Sequence, residues 1–133
     1  MLTDQILSQT TAVEKEMYRV LSELEELTQE LSQAVNRGDK VSIQMFLSMR
    51  RDPLNQMARH QAALRRQYAG LPGKDARLLR ALLEDPSPPP CAGSEELVRQ
   101  AARNRSILER IVRTDRQISQ RLAGKSSFYA KHP

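Results

Sequence analysis

The sequence has few of the residues on which disulfide scaffolds, sheets and membrane spans depend. Its 133 residues include no tryptophan, three tyrosines, two phenylalanines and one cysteine. That cysteine, Cys91, cannot form an internal disulfide, and it lies in DPSPPPCAGS, away from any histidine. No run reaches the roughly 20 apolar residues of a bilayer-spanning helix, and the opening MLTDQILSQTTAVEKE has neither a basic leader nor an apolar core. We therefore expect a cytoplasmic protein without membrane insertion.

Residue combinations typical of catalysis or metal binding are also missing. His60 and His132 are far apart in sequence and have no cysteine or carboxylate at ligand spacing. The segment GLPGK at 70–74 lacks the full phosphate-loop pattern, and no strand is predicted before it. Most acidic residues fall on predicted outer helix faces, so none is paired for acid–base chemistry. We expect no enzyme activity and no cofactor, and we assign no catalytic, cofactor-binding or metal-binding residue.

The residues that are abundant are typical of long helices. Gln, Glu, Arg, Leu and Ala dominate the composition. From Ile6 to Val35, apolar residues recur mainly at spacings of three and four, which predicts a helix at about 3–36. Thr3 is placed to cap its start, and Gly38 is placed to end it.

Two further helices are predicted between this helix and a proline-rich linker. The Gly38–Asp39 pair is typical of a tight turn, after which a helical pattern runs over about 40–69. Pro53 lies inside that pattern and predicts either a kink or a restart at Asp52. Asp75 can then open a short helix at about 76–84. The prolines of segment 85–93 indicate a linker.

A third long helix is predicted at about 94–123. Ser94 can cap it, with Glu95 and Glu96 in its first turn, and Gly124 is expected to end it before a tail at 124–133. The predicted fold class is therefore all-α: an antiparallel helical hairpin completed to a three-helix, coiled-coil-like bundle, with a short extra helix and a proline-rich linker. We expect residues 1–133 to form one domain.

Charge is distributed unevenly along the chain. The net charge is −4 over residues 1–40, +4 over 41–93 and +5 over 94–133. Antiparallel packing can set the acidic first helix beside the basic segments, so the overall charge of +5 does not require a nucleic-acid partner. The basic stretch at 50–66 also lacks aromatic residues for base stacking, and nucleic acid ranks as a distant third class of partner.

The third long helix carries a stripe in which two polar residues occupy apolar positions. We call this set the terminal stripe; its members are Leu97, Ala101, Asn104, Leu108, Ile111, Asp115, Ile118 and Leu122. A buried asparagine such as Asn104 fixes helix register at a cost in stability. A buried Asp115 needs a paired charge, which Arg113 or Arg116 could supply at a partly exposed seam. Periodicity alone leaves two interpretations open: the stripe completes a three-helix core, or it binds another helix.

Three features of the chain resemble the FlgN-like family of flagellar type III export chaperones. The first is the segment ELSQAVNRGDKVSIQMFLSMRRDPL, which is similar to that family's leucine-rich helix, Gly-Asp turn and arginine-containing helix. The second is the terminal helix NRSILERIVRTDRQISQRLAG, and the third is the closing Gly124 and Tyr129. Pro53 and the short proline-rich linker depart from the family pattern.

The resemblance implies a chaperone for hook–filament junction proteins. Such a chaperone binds the C-terminal helical segments of its clients, prevents premature assembly and delivers them to the type III export apparatus. The family's client contacts map onto the terminal stripe, where we take as candidates Leu97, Asn104, Leu108, Ile111, Asp115, Ile118 and Leu122. The alternative is a structural coiled-coil adaptor or homo-oligomer without a secretion client.

Overall fold

The computed structural model describes residues 1–131, with side chains as far as Gly124, and all regular structure in that part of the chain is helical. The predicted all-α class is confirmed. The helices are α1 (Asp4–Arg37), α2 (Lys40–Met49), α3 (Arg51–Ala69), α4 (Gly73–Glu84) and α5 (Glu95–Lys131).

Helix α1 begins and ends where the sequence predicts. The Thr3 hydroxyl accepts a hydrogen bond from the Ile6 amide at 3.2 Å, which satisfies one of the free donors of the first turn. At the other end Gly38 has φ 68°, a left-handed conformation that suits glycine, and its amide bonds back to Ala34 and Val35. Helix α1 contacts α2, α3 and α5, so it is the central element of the fold.

The second predicted helix is divided at Arg50, which confirms a restart near Pro53. The Arg50 amide still bonds to the Phe46 carbonyl, and α3 then begins at Arg51, one residue before the predicted restart at Asp52. Pro53 is therefore the third residue of α3. Because the first-turn amides of a helix have no intrahelical acceptor, the missing N–H of Pro53 costs no helix hydrogen bond there.

Polar contacts define the relative directions of the long helices. Thr10 and Arg19 of α1 bond to Gln67 and Gln56 of α3, so the two helices are antiparallel. Lys15 and Glu25 of α1 pair with Glu96 and Arg110 of α5, so α5 runs parallel to α1. These pairs between α1 and α5 also place unlike charges together across a seam, although the charge distribution predicted such pairing through antiparallel packing.

Helix α4 starts earlier than predicted and packs beside the first half of α5. Its first residue is Gly73, three positions before the expected start at 76. Asp75 does not cap the helix; it lies buried in the first turn, 2.8 Å from the Met1 amino group. At the other end of α4 the Leu83 carbonyl accepts a hydrogen bond from Arg105 of α5. Helix α4 thus ends level with Arg105, and the linker returns the chain to the start of α5.

The predicted end of the last helix at Gly124 is wrong. Helix α5 starts directly after Ser94 as expected, but it continues to Lys131, so helix replaces most of the predicted tail. Gly124 does not adopt a positive φ, and a Cβ at this position would meet nothing within 4 Å. A glycine in an exposed helix interior costs only about 1 kcal/mol relative to alanine, which is too little to end the helix. The rest of the predicted tail, residues 132 and 133, lies outside the described residues.

Candidate docking groove beyond the end of α4

The structure divides the terminal stripe into a buried and a partly exposed set. The buried members are Leu97, Ala101, Asn104, Ile111 and Ile118. The partly exposed members are Leu108, Asp115 and Leu122. Most of the stripe therefore packs inside the bundle, and only part of it can meet another molecule while α5 stays docked.

Asn104 forms a buried polar contact with α1. Its side-chain amide donates to the Glu14 backbone carbonyl at 2.8 Å and to the Glu14 carboxylate at 2.5 Å. Burial raises the pKa of Glu14, whereas the Asn104 hydrogen bond and the charge of Arg105 act in the opposite direction. These two hydrogen bonds can form in only one register of α5 against α1, which is the role expected of an asparagine at a core position.

Asp115 is paired with a residue that the sequence analysis did not anticipate. Its carboxylate lies 2.9 Å from the guanidinium of Arg50, at the junction of α2 and α3. The predicted partners Arg113 and Arg116 are on α5 itself. Arg50 is buried, and among the described residues its Nε has no hydrogen-bond partner. The Asp115 carboxylate is therefore the main group that compensates the buried positive charge of Arg50. Asp115 therefore ties α5 to the α2–α3 junction.

A groove of about 250 Å³ opens between α3 and α5, beyond the end of α4. Its floor includes Met17 and Leu21 of α1, and its two walls include Met57 of α3 and Leu108 of α5. No Cα of α3 lies within 8 Å of a Cα of α5, so the two helices are separated here. Helix α4 contacts both of them beside the first half of α5, and the groove begins where α4 ends.

One end of the groove is closed by polar groups of α3 and α4. Tyr68 lies there beside Glu84, and burial together with the charge of Glu84 raises its pKa to about 12. The Arg80 guanidinium lies 5.1 Å from the centre of the Tyr68 ring. Tyr68 therefore stays neutral and held in place at physiological pH.

The side of α5 next to the groove is open to solvent. We call it the α5 flank; it consists of Arg105, Leu108, Glu109, Val112, Arg113 and Arg116. Leu108 and Val112 are each 40% exposed, one helical turn apart. In the described part of the chain, neither Arg113 nor Arg116 has an ion pair. The flank therefore offers a short apolar strip with unpaired positive charge beside it.

Sequence reasoning identified Leu108 as a candidate client contact and counted Val112 in a wider apolar face of the same helix, but it did not select Met57 or the groove floor. Val112 lies outside the strict spacing of the terminal stripe, and its role depends on where α4 stops. The signal present in the sequence was the adjacent pair of aliphatic residues at 107–108 and again at 111–112, which makes α5 apolar on more than one face.

Two features are absent from the described residues, a metal-binding cluster and a membrane-spanning helix. In that range no three His, Cys, Asp or Glu side chains come together to hold a metal ion, and every helix is too short or too polar to cross a membrane. Comparison with known protein families, curated proteins and solved structures finds no match. We therefore infer function from the groove and the α5 flank.

Proposed function

We propose that this protein is a cytoplasmic export chaperone that binds an amphipathic helix of its client along the groove and the α5 flank. Its clients are hook–filament junction proteins, whose C-terminal helical segments it keeps from assembling and delivers to a flagellar type III export apparatus. The FlgN-like resemblance supports the identity of the clients. The observation that carries the proposal is the apolar strip of Leu108 and Val112, left open where α4 ends.

The packing of α4 supports this mode of binding. Helix α4 contacts both α3 and α5 beside the first half of α5, and the client helix would take the same position farther along α5. Helix α4 is amphipathic and buries Leu79, Leu82 and Leu83 in the core that α1, α3 and α5 share. A client helix placed beyond Glu84 would continue the line of α4 and cover Leu108 and Val112. Binding then requires no opening of the core, because α5 stays docked on α1 as the third helix of a coiled-coil-like bundle.

The proposal changes which residues of the terminal stripe meet the client. Leu108 lines the groove and is accessible, and the partly exposed Asp115 lies farther along α5. A client could reach the buried members Leu97, Asn104, Ile111 and Ile118 only if α5 detached from α1. Detachment would expose the Glu14–Asn104 contact and a large part of the core, at a cost of several kcal/mol. Binding to α5 while it stays docked on α1 therefore costs less free energy than binding after detachment.

The test compares binding of junction-protein C-terminal segments by two variants with matched chemistry. Val112→Asp places a charge in the apolar strip, whereas Val41→Asp makes the same change on α2, where Val41 is 82% exposed. We expect fluorescence anisotropy to show at least tenfold weaker binding for Val112→Asp and unchanged binding for Val41→Asp, with equal melting temperatures. Equal affinity of the two variants would contradict docking on the α5 flank.

A second candidate, a structural adaptor or homo-oligomer, is favoured by one feature of α2. Helix α2 has no buried residue, although it is rich in apolar side chains, and Val41, Met45 and Met49 are exposed one turn apart. If this face joins two copies, sedimentation velocity should show a dimer that dissociates on dilution and that Val41→Asp abolishes. A monomer at all concentrations would exclude the homo-oligomer.

A further inference from the structure

We propose that the segment bound along the α5 flank is an acidic amphipathic helix, with carboxylates beside its apolar stripe that pair with Arg113 and Arg116. This inference rests on the proposed function and specifies the chemistry of the partner. It follows from the placement of charge around the apolar strip.

Two arginines of the flank, Arg113 and Arg116, differ from Arg103 and Arg110 of the same helix. Arg110 is 2.7 Å from Glu25, and the Arg103 guanidinium lies 5.4 Å from the centre of the Tyr18 ring, so both have a partner on α1. Arg113 and Arg116 have no ion pair among the described residues, although both border the exposed Val112. Their charge is available to a second molecule.

The neighbouring acidic groups do not neutralise this charge. Asp115 is already paired with Arg50, which leaves Glu109 as the one carboxylate of the flank beside three arginines. One of these, Arg105, donates to the Leu83 carbonyl at the end of α4, an acceptor that carries no charge. A guanidinium binds carboxylates through paired hydrogen bonds, so glutamate or aspartate on the partner matches this surface best.

The length of the open surface indicates the size of the partner helix. Solvent-accessible depressions on this side of α5 extend from Arg105 to Gln120. At 1.5 Å per residue this distance is about 22 Å, or about four helical turns. A partner of about 16 residues with apolar positions at spacings of three and four would cover Leu108 and Val112 and place its flanking residues beside the arginines.

The experiment uses two synthetic peptides of about 16 residues with the same leucine stripe. One carries glutamate beside the stripe, and the other carries lysine at the same positions. Isothermal titration should show about tenfold tighter binding of the glutamate peptide by the wild-type protein, and the difference should shrink with added salt. Equal affinities for the two peptides would overturn the proposal.

A charge-reversal variant separates local pairing from attraction by the net positive charge. Arg113→Glu combined with Arg116→Glu should reverse the preference, so that the lysine peptide binds more tightly. The control combines Arg59→Glu with Arg66→Glu, two exposed arginines on the side of α3 opposite the groove-lining Met57, Gln61 and Leu64. This control changes the net charge equally and should keep the wild-type preference; a reversal in both variants would contradict specific pairing.

The junction-protein segments distinguish failure of this inference from failure of the proposed function. If neither synthetic peptide binds but a junction-protein segment does, the inferred acidic chemistry is wrong and the chaperone function stands. If no segment binds and sedimentation velocity shows a dimer that Val112→Asp dissociates, the flank holds a second copy of this chain and both proposals fail.

Discussion

Two adjacent residues of α5 should respond very differently to the same truncation. Ile111 is 3% exposed and belongs to the main apolar cluster, whereas Val112 is 40% exposed on the α5 flank. Truncation of a buried isoleucine to alanine typically costs about 2–5 kcal/mol through lost burial and the remaining cavity. We take about 3 kcal/mol for Ile111→Ala and less than about 0.5 kcal/mol for Val112→Ala, where alanine also favours the helix.

These energies convert to a clear difference in melting temperature. An unfolding entropy of about 2.1 cal/mol/K per residue amounts to about 0.28 kcal/mol/K for a chain of this length. Ile111→Ala should therefore lower the melting temperature by about 10 °C and Val112→Ala by less than about 2 °C. Thermal unfolding followed by circular dichroism at 222 nm measures both, and urea unfolding provides an independent free energy. A loss of less than about 1 kcal/mol for Ile111→Ala would refute the docking of α5 on α1.

Three further predictions concern polar and backbone features. Because burial raises the pKa of Glu14, the folded chain holds this proton more tightly than the unfolded chain, and stability falls as pH rises from about 4.5 towards 7. Glu14→Gln should therefore gain stability over wild type across that interval in urea titrations, and a parallel pH profile for the two proteins would contradict this. Asp115→Ala should cost about 1–2 kcal/mol in wild type, because it leaves Arg50 buried without a partner, and much less in an Arg50→Met background; equal costs would exclude the coupling. Gly38→Ala should lower the free energy of unfolding by about 1 kcal/mol because Gly38 has a positive φ. Gly124→Ala should leave the free energy of unfolding unchanged or raise the helicity measured by circular dichroism. A larger loss of stability in urea unfolding for Gly124→Ala than for Gly38→Ala would contradict the backbone geometry.

Local signals in the sequence predicted much of the helical architecture. Thr3 and Gly38 delimit α1 because capping and left-handed glycine act within a few residues of a helix end. The restart near Pro53 also follows from a local property, the missing amide of proline. The predicted end at Gly124 failed because glycine lowers helix stability only modestly, and a long helix can include it.

The candidate site depends on contacts that no local pattern reveals. Spacing predicted that Leu108 and Ile111 share a stripe, but it does not say which of the two a neighbouring helix covers. The answer depends on α4, which ends level with Arg105 and leaves Leu108 open. Likewise, the partner of Asp115 is Arg50, which lies 65 positions away in sequence. Pairings of this range follow from the packing of helices and become visible only in the folded chain.

The most direct test of the central claim is a map of the client surface by methyl NMR. A junction-protein C-terminal segment is added to the isotope-labelled protein, and shifts are compared for Leu108, Val112 and Met57 beside the groove and for Val41 and Met45 on α2. The account predicts shifts confined to the groove and the α5 flank, with the buried Ile111 and Ile118 still packed in the core. Shifts centred on α2, or a general loss of the core signals of α5, would contradict docking of the client helix beyond the end of α4.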